Sequence, residues 1–121
     1  MNNYELIGQL LELSRTVGEG IEHINGRFNA GRYEDALVLL PDVVQAFVSI
    51  QQAIGTISIQ LTPNKTDALM TVVNNSLNHV CTAYEQQKWG LANETIQYEL
   101  FPAYLEWKAE LERCFGSYVA S

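Results

Sequence analysis

A chain of 121 residues, 47% hydrophobic and 17% charged, has the length and balance of one globular domain that folds without disulfides or metals. Fourteen acidic against seven basic residues leave a formal net charge of −7, which argues against nucleic acid or an anionic membrane as partner, since both require clustered Lys and Arg. No stretch is Gly/Ser-rich or of low complexity, so residues 1–121 are expected to form a single domain.

The opening residues Met1-Asn2-Asn3-Tyr4-Glu5 lack the cationic and apolar regions of a signal peptide, and no segment reads as a membrane span. A cytoplasmic location, with Cys81 and Cys114 as free thiols, is the expectation. The first helix is predicted from Asn3 to Asn29. Tyr4, Ile7, Leu10, Leu11, Val17, Ile21, Ile24 and Phe28 recur at steps of three and four, and Glu5, Gln9, Glu12, Glu19 and Glu22 take other faces. Gly18 and Gly20 interrupt it, each at a cost of about 1 kcal/mol relative to alanine. Close approach of another helix would explain them; a break there, or an early end at Gly26, is the alternative.

The second helix carries the clearest pattern. Tyr33, Ala36, Leu40, Val43, Phe47, Ile50, Ile54, Ile57 and Leu61 form a heptad seam of the kind that packs helical bundles. Pro41 lies inside it and removes one backbone donor, so a kink rather than a stop is expected. Thr62-Pro63 reads as an N-cap followed by proline at the first helical position. A third helix continues through Met70, Val73, Leu77, Val80 and Tyr84. A fourth, starting near Trp89, runs through Ala92, Ile96, Leu100, Ala103, Trp107, Leu111, Cys114 and Tyr118, with Pro102 inside it. The fold class that follows is all-α. It is a four-helix antiparallel up-down bundle built from two helical hairpins, with helices 2 and 4 bent at Pro41 and Pro102.

The two hairpins share a turn signature. Residues 28–36 (FNAGRYEDA) align without gaps on residues 84–92 (YEQQKWGLA), 56 positions on. Each has an aromatic residue, three spacers, a basic residue, a second aromatic residue and, three further on, alanine. The two rings of each corner are expected to clamp one helix against the next rather than to cage a ligand. Gly31-Arg32-Tyr33-Glu34-Asp35-Ala36-Leu37 resembles the corner between the helices of a tetratricopeptide repeat, although the 34-residue period of that family is absent.

Charge is distributed unevenly. Of 21 charged residues, ten lie in 1–42 and nine in 85–121; only Lys65 and Asp67 lie between. The off-seam positions of this middle hairpin are Gln, Ser, Thr and Asn, where a solvated helix normally carries charge. Gln45, Ser49, Gln52, Thr56, Asn74 and Asn78 are therefore the candidate interface, because depletion of charge is the compositional mark of interface cores. A protein partner, including a second copy of the chain, is the expected occupant. Tyr98, Phe101 and Tyr104 around Pro102 fall partly outside the core seam; core filling is the first reading of them, and an exposed aromatic patch that binds a partner is the alternative.

Catalytic and metal-binding patterns are missing. Neither His23 nor His79 follows a Glu by three residues, as di-iron bundles require. Glu19 and His23 share a face, and Glu106 and Glu110 sit one turn apart, but such pairs are ordinary on a helix surface. No phosphate loop, nucleophile elbow or Cys-x-x-Cys pair occurs. No catalytic residue, metal ligand or cofactor is assigned. Tyr98-Glu99-Leu100-Phe101-Pro102, with Trp107 five residues on, is similar to the last helix of small uncharacterised bacterial helical proteins. The small, acidic, helical pattern also resembles flagellar export chaperones and related bundle adaptors, which implies a role in binding proteins. The functional expectation is a non-enzymatic interaction module (adaptor, chaperone-like or regulatory). The alternative is a small-molecule-binding or enzymatic bundle with a pocket near Pro102.

Overall fold

The structure, a computed structural model, describes residues 3–57 and 65–119; the Thr62-Pro63 turn and Leu61 lie outside the described residues. In chain order the elements are α1 (Asn3–Asn29), α2 (Tyr33–Thr56), α3 (Thr66–Glu85), α4 (Trp89–Thr95), a π segment (Ile96–Leu100) and α5 (Phe101–Val119). The last three follow without a gap and make the fourth rod of an all-α bundle, with no strand among the described residues. Helix α1 lies against α2 and α5, and α3 lies against the fourth rod.

The apolar spacing accounts for the packing. Ile7, Leu10, Val17, Ile21, Ile24 and Phe28 of α1 are all buried, as are Ala36, Leu40, Val43, Phe47 and Ile50 of α2. Burying one such aliphatic or aromatic side chain stabilises by roughly 1.5–3 kcal/mol, enough to carry α1 across its glycines. The glycines have uses. A Cβ on Gly18 would stand 3.3 Å from the Tyr104 ring, and one on Gly20 would stand 2.9 Å from Val43 Cγ2. Gly26 has open space around it, and α1 continues past it to Asn29.

Neither proline ends its helix. Helix α2 stays helical through the exposed Pro41. In the fourth rod a π turn stands immediately before Pro102, where the Phe101 N–H bonds the Ile96 carbonyl five residues back. The π turn also re-sets the seam. Ala92, Ile96, Leu100 and Tyr104 are buried at three successive four-residue steps, each of which would drift by about 40° on an α-helix of 3.6 residues per turn. A wider turn absorbs the drift. The expected core position Ala103 is therefore only half-buried, and Tyr104 takes its place.

The shared turn signature extends into the backbone. Both corners are Schellman closures. Arg32 N–H bonds the Arg27 carbonyl at 2.8 Å and Lys88 N–H bonds Ala83 at 2.9 Å. Gly31 N–H bonds Phe28 at 3.0 Å and Gln87 N–H bonds Tyr84 at 2.9 Å. Gly31 and Gln87, again 56 apart, are the two residues with positive φ among the described residues, at 76° and 57°. The corners meet as one aromatic cluster. Phe28 contacts Tyr33 (centroids 5.4 Å apart) and Tyr84 (5.3 Å), and Trp89 stacks on Tyr33 (5.5 Å) and meets Tyr84 edge-on (5.4 Å).

Buried positions then repeat along much of the hairpin. Val17, Ile21, Ile24, Phe28, Ala36 and Leu40 correspond to Val73, Leu77, Val80, Tyr84, Ala92 and Ile96 at a separation of 56. Beyond the π segment the separation becomes 57, pairing Val43, Phe47 and Ile50 with Leu100, Tyr104 and Trp107. A residue that touches its own counterpart lies on the axis relating the two. Phe28–Tyr84, Tyr33–Trp89 and Phe47–Tyr104 (6.1 Å) all do so, at two levels of the bundle. The two hairpins are thus related by an approximate twofold axis along the bundle, and the π segment is a one-residue insertion in the second.

Candidate functional site

That twofold relation makes the α2–α3 seam the counterpart of the α1–α5 seam, yet the two are not alike. At α1–α5 the helices approach closely, because Gly18 leaves room for the Tyr104 ring, whose hydroxyl donates to the Ser14 carbonyl. The counterparts of Gly18 and Tyr104 are Asn74 and Phe47. Asn74 has a full side chain, and its amide exchanges two hydrogen bonds with Gln51, at 3.1 and 3.0 Å. Helices α2 and α3 consequently stand farther apart, joined by this amide pair and by the Tyr84 hydroxyl, which donates to the Tyr33 carbonyl at 2.9 Å.

Helix α2 is unusual for its composition. An 18-residue window of it reaches a mean hydropathy of 1.5, long and apolar enough to cross a membrane by those criteria, yet only 22% of that window is buried. Its outer face shows why. Val38 is 72% exposed, and Leu37 and Val48 are also exposed. Val38, Pro41, Gln45, Val48, Gln52 and Gly55 follow one another at steps of three and four along a single exposed stripe. No charged residue lies on α2 beyond Asp42.

Of the six residues expected at the interface, Gln45, Ser49, Gln52 and Thr56 are exposed together on α2. Ser49 and Thr56 turn their hydroxyls back onto the carbonyls of Gln45 and Ala53. Asn78 is exposed on α3, but Asn74 is half-buried and committed to Gln51, so it belongs to the seam and not to the outer face. Val38, Val48 and Val72 of α3 are surface residues that the polar off-seam pattern did not single out. Their signal was present as apolar residues at off-seam positions of helices poor in charge.

The alternative, an exposed aromatic patch, does not hold together. Tyr98 is 73% exposed, Phe101 is half-buried, and Tyr104 is fully buried against Phe47 and Trp107. The four-residue steps set by the π segment rotate Tyr104 into the core. Burial raises the Tyr104 phenol well above its ordinary value, and Tyr84 is pushed up to about 12 for the same reason. Both hydroxyls donate to main-chain carbonyls, and burial holds them in the protonated form.

Glu106 and Glu110 do not act as a pair. Glu110 accepts from Arg113 Nε at 2.6 Å and from the backbone N–H of Lys65 at 2.8 Å, which ties the start of α3 to α5. The Arg113 hydrogen bond, followed by that of Lys65, lowers its carboxyl to about 2. His23 and Glu19 are both exposed with no hydrogen bond between them among the described residues. No cluster of three His, Cys, Asp or Glu residues able to hold a metal occurs among the described residues. Cys81 and Cys114 are free thiols, and burial, then Glu85, raises the Cys81 thiol.

The sequence profile of a family described as a domain of unknown function, DUF8042, matches residues 5–110. The chain belongs to this family. The DUF8042 span takes in α1 from Glu5 through the first half of α5, with both aromatic corners, the π segment and the outer face of α2. No curated protein and no solved structure matches the chain.

Proposed function

We propose that the protein is a non-enzymatic interaction module that works through the outer face of α2, and that the partner this face fits best is a second copy of the chain. The observation that carries the reading is the exposed stripe of Val38, Pro41, Gln45, Val48 and Gln52, free of charge beyond Asp42, on a helix otherwise apolar enough to be buried. Depletion of charge with retained apolar residues is what distinguishes the centre of an interface. A hydrocarbon environment suits the stripe less well, because Gln45 and Gln52 would lose their hydrogen bonds to water.

Self-association follows from two properties of the stripe. Each copy carries a net charge of −7, so two copies repel over most of their surface and meet at least cost where charge is absent. In a twofold contact each residue meets itself or its neighbours. A glutamine amide is both donor and acceptor and satisfies itself across such an axis, whereas a charged residue would face its own charge. The resemblance to bundle adaptors, and a cytoplasmic location for a chain with two free thiols, go with this reading. The direct test is light scattering across a concentration series on the native chain and on a Val38→Glu, Val48→Glu variant. A dimer in the native chain that the double substitution converts to a folded monomer is expected. A native chain that stays monomeric at every concentration would overturn it.

A further inference from the structure

The internal repeat gives a control for every polar cluster, since what the bundle requires at one hairpin it requires at the other. One cluster fails that comparison. His79 Nδ1 lies 2.6 Å from Glu99 Oε1, and the hydroxyl of the fully buried Ser76, which donates to the Val72 carbonyl at 3.0 Å, lies 3.3 Å from the same oxygen. The first-hairpin counterparts are His23, Asp42 and Gly20. His23 and Asp42, exposed as His79 is, share no hydrogen bond among the described residues, and Gly20 is packed against Val43. The first hairpin therefore closes without this contact. The difference is the extra residue of the π segment, which carries Glu99 to α3. One-turn π insertions of this kind are frequently retained at functional sites.

Glu99 and His79 wall a cleft of about 280 Å³ between α3 and the fourth rod, completed by Thr82, Gln86, Leu91 and Thr95. A carboxylate only accepts hydrogen bonds, so the Nδ1 facing Glu99 is the donor; in the neutral form of the ring this would leave Nε2 as an acceptor. Glu99 Oε2 has no partner among the described residues. Thr82 and Gln86 add further acceptor oxygens, no Lys or Arg lines the cleft, and the half-exposed Leu91 supplies an apolar wall. Acceptors around one carboxylate, beside a short aliphatic surface, match one class of ligand. We infer that this cleft binds a small organic cation, a primary ammonium on a short aliphatic stem. The ammonium lies at Glu99 and His79 and the stem lies on Leu91. The site is on a different face from the α2 stripe and stands independently of self-association.

The test is an NMR titration of the full chain with n-butylammonium chloride, and with sodium butyrate as the anion of matching size. The expected result is saturable shifts at the His79 imidazole and the Leu91 methyls with butylammonium and none with butyrate. Glu99→Gln should weaken binding by about tenfold, the loss expected for one charge-assisted hydrogen bond. Leu91→Ser, a change at an exposed position, should also weaken it, and His23→Ala should leave it unchanged. Shifts scattered over the acidic surface without saturation would overturn the inference. So would equal affinity in the native chain and the folded Glu99→Gln variant, because either result reduces the effect to attraction by the net charge.

Discussion

Single residues decide how closely these helices approach. Gly20 and Gly26 lie in the same helix, yet alanine should act with opposite sign at the two. At Gly26 the added methyl meets nothing, so Gly26→Ala should stabilise by roughly 0.5–1 kcal/mol through helix propensity alone. At Gly20 it would meet the stiff, buried Val43 at 2.9 Å, and an overpacking cost of about 1–3 kcal/mol outweighs the same gain. Gln87 holds a left-handed conformation that its counterpart Gly31 adopts without penalty. Gln87→Gly should therefore stabilise by about 0.5–1 kcal/mol, and urea denaturation reads all three changes. The sequence shows that Gly18 and Gly20 interrupt a strong seam. It does not show which helices they admit, because Tyr104 and Val43 are distant in the chain.

Among the elements, α3 and the fourth rod depend on interactions that periodicity does not express. Glu110 pins the backbone of Lys65 and pairs with Arg113. Its carboxyl is lowered to about 2 in the folded chain, from about 4.3 for an ordinary glutamate. The stability it contributes is complete above that ordinary value and disappears as pH falls through about 2. Glu110→Gln should flatten the acid limb of the stability curve between about pH 4.5 and 2 while leaving its shape above pH 6 unchanged. The π segment makes a less usual prediction. Removing one residue from inside a helix normally rotates everything after it out of register. Deleting the exposed Tyr98 should instead restore the spacing of the first hairpin and keep Tyr104, Trp107 and Leu111 buried. Deleting the exposed Leu105 should disrupt the core. Both are best made with Pro102→Ala, which removes the proline clash as a separate cause, and compared by thermal melts. The corner signature was legible in the sequence because it is local. The π turn was not, because the aromatic residues around Pro102 permit more than one seam and only packing against Phe47 and Ser14 selects Tyr104 over Ala103.

At the scale of the whole molecule, two hairpins are stacked about an approximate twofold axis that is tight on one side and open on the other. The bundle was legible because each helix repeats its apolar residues at steps of three and four. The uncharged middle third was legible too, because the absence of charge needs no coordinates to see. What the sequence withheld is that Asn74 faces inward to Gln51. That depends on how far α2 stands from α3, a distance set by the asymmetry between Asn74 and Gly18. If the outer face of α2 joins two copies, burial of valines and glutamines drives association while the net charges oppose it. Salt, which screens repulsion over about 8–10 Å near physiological strength, should then strengthen the dimer. Sedimentation equilibrium of the native chain at low and physiological salt tests this directly. The expected result is a monomer–dimer equilibrium that shifts toward dimer as salt rises and is abolished by Val38→Glu with Val48→Glu. A single monomeric species at both salt concentrations would contradict it, as would a dimer unaffected by those two substitutions.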